Sequence, residues 1–188
     1  MIRIAIFASG NGSNAQRIIE YFAENTQVKV ECVIYNVKDA FVAERAKMLG
    51  VEARYFGRKD FYENGSVRLF LKDHQIDWIV LAGFLWLVPG DLLEDFPQHI
   101  INIHPALLPN YGGKGMYGRH VHEAVVANCE KESGITIHLV DDHYDKGQVL
   151  FQAKCALAPD ETPDSLAAKV HELEYEYFPQ VIAKTLLG

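Results

Sequence analysis

Short β-rich runs alternate with helix-length segments through the first hundred residues, and that alternation restricts the possible fold more than any other feature. Ile2 to Phe7 is β-rich and runs into a polar turn from Ser9 to Asn14. Ala15 to Glu24 follows, with Ile18, Ile19 and Phe22 spaced for one face of a helix. The cycle then repeats. Val28 to Tyr35 reads as a strand, Ala40 to Leu49 as a helix ended by Gly50, and Val51 to Phe56 as a short strand. Phe61 to His74 reads as one helix with Gly65 near its start. Asp77 to Ala82 is a continuous apolar run, the pattern of a strand covered on both faces. Pro89 to Asp95 reads as a short helix with Pro89 in its first turn, and Ile100 to Ile103 as another buried strand ending in His104-Pro105. Strands separated by helix-length crossovers pair in parallel, so the sheet is expected to be mainly parallel.

The second half of the chain changes pattern. Residues 109–119 form a loop containing Gly112, Gly113, Gly115 and Gly118, and residues 120–127 resume a helix. Ile135 to Val140 and Gln148 to Cys155 read as strands joined by an acidic loop short enough for an antiparallel pair. A last helix is expected from about Pro163 to Leu187, broken or kinked at Pro179. The expected class is α/β: a Rossmann-like, mainly parallel twisted sheet with helices on both faces and an antiparallel C-terminal extension. At 188 residues, 49% of them hydrophobic, the chain suits a single domain, 1–188, with an N-terminal lobe to about residue 100 and a C-terminal lobe over 101–188.

Charge and cysteine usage exclude several classes. A formal net charge of −7 argues against nucleic acid as a partner, which needs a basic surface. It leaves room for an anionic small molecule, because a few local donors suffice to hold one phosphate. Cys32, Cys129 and Cys155 are odd in number, far apart and without a CxxC, so neither a disulfide framework nor a thiolate metal site is expected. No apolar stretch is long enough to span a bilayer, and the apolar start is too short for a secretory signal. These features predict a cytoplasmic protein without a membrane partner.

Three segments carry residues suited to chemistry. Gly10-Asn11-Gly12-Ser13-Asn14 joins a strand to a helix. There, inward-facing N–H groups and the positive helix end can hold a phosphate, and Ser13 and Asn14 add side-chain donors. The loop lacks both the third glycine of a dinucleotide motif and the lysine of a nucleoside-triphosphate loop, and as a bare pentapeptide it also serves as a tight turn with a helix cap. Asn102 and His104, two apart at a strand's C-terminal end, would project to the same side. An amide can donate to a developing oxyanion, and an imidazole can give or take a proton. Between the last two strands, a carboxylate from Asp141, Asp142 or Asp145 could orient His104, and spacing alone does not choose among the three. His120 and His122 fall on different helix faces and form no metal pair, so no metal is expected.

These segments, together with Leu81-Ala82-Gly83-Phe84, the run Asn102-Ile103-His104-Pro105-Ala106-Leu107-Leu108-Pro109, Asp145 with Gly147, and Glu174 to Pro179, resemble the phosphoribosylglycinamide formyltransferases, members of the folate-dependent formyltransferases. The resemblance covers nearly the whole chain in order. It implies the formyltransferase fold and transfer of a formyl group from 10-formyltetrahydrofolate to the amine of glycinamide ribonucleotide. It implies a catalytic trio of Asn102, His104 and Asp145, with His104 held protonated by Asp145. Substrate contacts would fall on Gly12, Ser13, Asn14, Pro105, His171 and Glu174. Donor contacts would fall on Phe84, Leu85, Trp86, Leu87, Val140, Asp141 and Asp142, in a cleft lined by residues 84–92 and 140–145. The partners implied are the two small-molecule substrates, and the assembly a monomer or homodimer.

The chain departs from the family pattern in several places. Trp86 stands where an arginine is common, the loop 111–119 is longer, and His171 replaces a glutamine, while Arg58 or Lys59 offers a charge for the donor tail or the phosphate. A methionyl-tRNA formyltransferase shares the Asn-x-His-Pro motif but pairs it with a further C-terminal domain and a basic surface. A formyltetrahydrofolate hydrolase adds an N-terminal regulatory domain. A sugar-amine formyltransferase would not need the Ser13-Asn14 loop, and a binding module would not need all three catalytic residue types.

Overall fold

The computed structural model describes residues 1–188. Seven strands form one sheet in the order β3-β2-β1-β4-β5-β6-β7. The chain divides into two compact units, Met1–Ile101 and Asn102–Gly188.

In the first unit, β1 (Ile2–Ala8) is the central strand. It pairs in parallel with β2 (Val28–Tyr35) on one side and β4 (Trp78–Leu81) on the other, and β3 (Glu52–Tyr55) adds in parallel to β2. Ile4 to Ala8 are all buried, which is why the run shows no polar alternation. Helix α1 (Ser13–Phe22) buries Ala15, Ile18, Ile19 and Phe22, the i, i+3, i+4, i+7 stripe of a helix on a sheet. Helix α2 (Val42–Met48) stops before Gly50, whose φ of 71° is a left-handed conformation that glycine adopts without penalty. The segment expected as one helix is two, α3 (Arg58–Tyr62) and α4 (Ser66–Asp73). Gly65, at φ 69°, breaks the run, and the Asn64 side chain accepts the Ser66 N–H to restart it. Pro89 sits just outside α5 (Gly90–Asp95) in extended conformation rather than in its first turn.

β5 (Ile100–His104) runs one residue further than expected and carries His104 within the strand. In the second unit, α6 (Arg119–Ala127) leads to an antiparallel pair, β6 (Glu132–Leu139) and β7 (Val149–Ala156). Their register slips at Ile137/His138, the irregularity that marks a β-bulge. Helix α7 (Pro163–Leu187) packs on β6, β7 and α6. It begins at a Thr162 cap, whose hydroxyl accepts the Ser165 N–H at 3.1 Å. The break expected at Pro179 is absent, and α7 runs through it unbroken. Phe178, Pro179, Val181 and Ile182 are all buried, so tertiary packing on the apolar face outweighs the one backbone bond the proline cannot make.

Candidate functional site

Two clusters of polar groups stand out, one in each unit. The first is the Gly10–Asn14 loop at the C-terminal end of β1. Gly12, at φ 79°, turns the chain into α1, and Ser13 and Asn14 are the helix's first residues, so their backbone N–H groups lie at its positive end. The loop is braced from α2. Arg45 donates through Nε to the Asn11 carbonyl at 2.9 Å and through Nη2 to Asn11 Oδ1 at 2.6 Å, and it also binds the Gln16 side chain. Val42 N–H donates to the Gly10 carbonyl at 3.2 Å. Reading the sequence for phosphate motifs missed Arg45, because it lies 34 positions away with no motif of its own.

Ser9 links this loop to the segment after β4. Its N–H donates to the Gly83 carbonyl, and its hydroxyl accepts the Leu85 N–H at 2.9 Å. Phe84 packs edge-on against Phe7, and Trp86 packs against Phe61 and Tyr62, while Leu85 and Leu87 are exposed. The Arg58 guanidinium lies over the rings of Tyr62, at 5.0 Å, and Trp86, at 5.8 Å. A cation therefore stands beside Trp86. Trp78, at the start of β4, is half-buried against His99.

The second cluster lies wholly in Asn102–Gly188. His104 is 4% exposed. Its Nε2 lies 2.7 Å from the Tyr111 carbonyl, which can only accept, so Nε2 carries the proton. Its Nδ1 faces Asp145 Oδ2 at 3.6 Å. Asp145 Oδ2 accepts the Gly113 N–H at 2.8 Å, while Oδ1 lies 3.6 Å from Nε2 of His138. That histidine, in β6, is 2% exposed, and its Nε2 is 3.1 Å from the Asn102 amide nitrogen. Of the three candidate aspartates, the one brought to the histidine is Asp145. Asp141 and Asp142 turn to His143: Asp141 accepts its N–H and Asp142 its ring nitrogen. Ligand atoms of Asp141, Asp142 and His143 lie within 4.8 Å of one another on this largely exposed turn. Val140 lies one residue past β6 and is half-buried.

Tyr111 and Asp145 have φ of 56° and 55°, unusual for residues with a Cβ. Tyr111 is pinned by its phenol, which donates to Glu130 at 2.6 Å and accepts from the Asn128 amide at 2.9 Å. The turn after β5 is held from β6 and β7: the Thr136 hydroxyl donates to the Ala106 carbonyl and accepts the Leu108 N–H, and Gln152 donates to both Thr136 and the Leu108 carbonyl. Pro105, half-buried, opens that turn.

Burial and charge oppose each other in this cluster. Burial lowers the His104 pKa, and the opposing pull of Asp145 and of the Tyr111 carbonyl does not restore it. Burial thus works against an imidazolium here, while Asp145 works for it. Burial would raise Asp145, but the neighbouring histidines and the Gly113 N–H together hold its carboxyl below the usual range. His122 is buried on α6 with Nδ1 lacking any partner. Its pKa falls to about 4, through burial first and then His171 and His104. His120, two residues earlier, is exposed. On α7, His171 is exposed and stacked on Tyr175, and Glu174 is buried.

The formyl transferase family model matches residues 2–182. The chain belongs to the formyl transferase family. Among relatives of this family, the chain is 36% identical over 186 residues to the chloroplastic phosphoribosylglycinamide formyltransferase of Arabidopsis thaliana, covering 96% of this chain and 64% of that one. It is 34% identical over 187 residues to the phosphoribosylglycinamide formyltransferase of Haemophilus influenzae, covering 97% of this chain and 86% of the relative. A crystal structure of phosphoribosylglycinamide formyltransferase from Streptococcus pneumoniae superposes with a TM-score of 0.87 at 40% identity, covering 100% of both chains. The chain spans less than two thirds of the length of the two plant relatives, 64% and 59%. No helix is long and apolar enough to cross a membrane.

Proposed function

We propose that this formyl transferase family member transfers the formyl group of 10-formyltetrahydrofolate to the amine of 5′-phosphoribosylglycinamide, giving N-formylglycinamide ribonucleotide and tetrahydrofolate. The observation that carries the reading is the convergence of Asn102, His104 and Asp145 in one buried cluster at the end of β5. The names of the relatives support the acceptor and a reaction in de novo purine synthesis. The family supports a formyl-folate donor.

In this mechanism Gly12, Ser13 and Asn14 bind the acceptor's phosphate at the α1 N-terminus, and Arg45 fixes the loop that presents them. Glu174, His171 and Pro105 contact the rest of the acceptor. Phe84, Leu85, Trp86, Leu87, Val140, Asp141 and Asp142 contact the donor, with Arg58 offering a cation beside Trp86. The acceptor amine attacks the formyl carbon, a C–N bond forms, and negative charge moves to the formyl oxygen, where the Asn102 amide donates to it. His104 rests neutral and takes the amine's proton at Nδ1, next to Asp145, becoming the cation that faces the oxyanion. Collapse of the tetrahedral species breaks the old C–N bond, and the same proton passes to the departing folate nitrogen. No metal enters the scheme. The chain acts as one domain, with an anion-binding N-terminal lobe and a proton-handling C-terminal lobe, in the cytoplasm, as a monomer or homodimer.

The test is an absorbance assay with 10-formyl-5,8-dideazafolate and glycinamide ribonucleotide beside a control without acceptor. Deformylation that needs the ribonucleotide is expected. Deformylation without it would make the protein a hydrolase, and none at all from a folded protein would refute the assignment. Asn102→Ala should lower kcat by roughly 10²–10³, the usual cost of one oxyanion donor, with little change in KM.

A further inference from the structure

His138 has no part in the proposed transfer, yet it is more deeply buried than His104. It sits where the β6–β7 register slips, a position at which a bulge re-aims a side chain. Its two ring nitrogens have different partners. Nδ1 lies 2.9 Å from the Leu139 carbonyl, which has no hydrogen to give, so Nδ1 is the donor. With Nδ1 committed to that carbonyl, Nε2 is the ring nitrogen left to accept. The atom facing it at 3.1 Å is the Asn102 amide nitrogen, a donor. The nearest carboxylate oxygen, Oδ1 of Asp145, is 3.6 Å away, outside hydrogen-bond reach of Nε2, so the Asn102 amide at 3.1 Å is its partner.

We infer that His138 is a positioning residue: its Nδ1–H tautomer, locked by the Leu139 carbonyl, fixes which end of the Asn102 carboxamide faces inward and so aims the second amide N–H at the formyl oxygen. An unrestrained asparagine can turn its amide over, and in the wrong orientation it presents an oxygen where the oxyanion forms. One backbone carbonyl thus sets a tautomer, the tautomer sets an amide, and the amide serves as the oxyanion donor. The inference rests on the role proposed for Asn102.

Two variants separate the two ring nitrogens. His138→Asn keeps a donor for the Leu139 carbonyl but loses the acceptor for Asn102. His138→Gln places an acceptor near the Nε2 position. Loss of one orienting hydrogen bond should lower kcat about tenfold in His138→Asn with both KM values unchanged, and His138→Gln should stay within about threefold of wild type. The decisive comparison is a double-mutant cycle: in the Asn102→Ala background, His138→Asn should change kcat by less than about twofold. An equal loss in both backgrounds, or wild-type turnover of a folded His138→Asn, overturns the inference. Nitrogen-15 NMR of the wild-type protein at neutral pH tests it without turnover and without any variant having to fold: a His138 ring protonated at Nδ1 alone is expected, and one protonated at Nε2 overturns it. Failure of the underlying reading looks different, since Asn102→Ala itself would then turn over like wild type.

Discussion

The glycines of the first unit allow a graded test of how the anion loop is built, because three of them isolate separate costs. Gly10 has no left-handed φ, and a Cβ added there would meet nothing within 4 Å, so Gly10→Ala should change stability by less than about 0.5 kcal/mol. Gly50 has φ 71° with open space around it, so Gly50→Ala should lose only the left-handed penalty of about 1 kcal/mol. Gly12 carries both burdens. Its φ is 79°, and a Cβ would lie 2.4 Å from Val42 Cγ2 and 2.7 Å from Val42 Cα. The second contact is with backbone, so no side-chain rotation relieves it and α2 itself has to move. Overpacking of this kind costs about 1–3 kcal/mol, which brings Gly12→Ala to about 2–4 kcal/mol. A chain of this size loses roughly 2–4 °C of melting temperature per kcal/mol. Calorimetry should therefore place Gly10→Ala at wild type, Gly50→Ala about 3 °C lower, and Gly12→Ala on the order of 10 °C lower. Moving α2 also moves Arg45, so glycinamide ribonucleotide should bind Gly12→Ala less tightly than Gly50→Ala. A Gly12→Ala protein that melts with Gly10→Ala would refute the argument that Val42 closes on this loop.

Other outcomes follow from the second unit and from the proposed chemistry. A Cβ at Gly147 would lie 1.7 Å from the Leu139 carbonyl oxygen, so Gly147→Ala must displace the turn that carries Asp145. Steady-state kinetics should show kcat reduced by about tenfold or more, together with a lower melting temperature. His122 is held near pKa 4, so the unfolded chain takes up a proton below about pH 6.5 that the folded chain refuses. Stability from this residue is complete above that pH and is lost as pH falls toward 4, by at most about 3 kcal/mol, and urea unfolding of His122→Gln should show a flatter profile in that window. Treatment with a chelator should leave formyl transfer unchanged. Loss restored by added zinc would instead bring the turn of Asp141, Asp142 and His143 into the mechanism.

What could be read from the sequence was what is local and periodic. The buried runs at Ile4–Ala8 and Ile79–Leu81 and the stripe Ala15, Ile18, Ile19, Phe22 show their environment in their spacing. Single residues whose effect depends on context were less legible. Gly65 splits a helix because Asn64 is there to cap the next one, whereas Pro179 breaks nothing because its face of α7 is buried. In the site, Asn102 and His104 announced themselves by being two apart on one strand. Arg45, Thr136 and His138 did not, since each acts on residues 28 to 36 positions away and carries no motif of its own. The electrostatic balance at His104 was illegible for the same reason: a nearby aspartate is visible in a sequence, but the depth of burial that opposes it is not.

The boundary between the two compact units falls inside β5, between Ile101 and Asn102, immediately ahead of the first residue of the proposed trio. In the proposed mechanism, recognition of the phosphate is encoded upstream of that point, and every group that handles the proton or the oxyanion is encoded downstream. A single crossover in the coding sequence there would exchange the phosphate anchor and the donor contacts Phe84 to Leu87 together, while keeping Asn102, His104 and Asp145 on one segment.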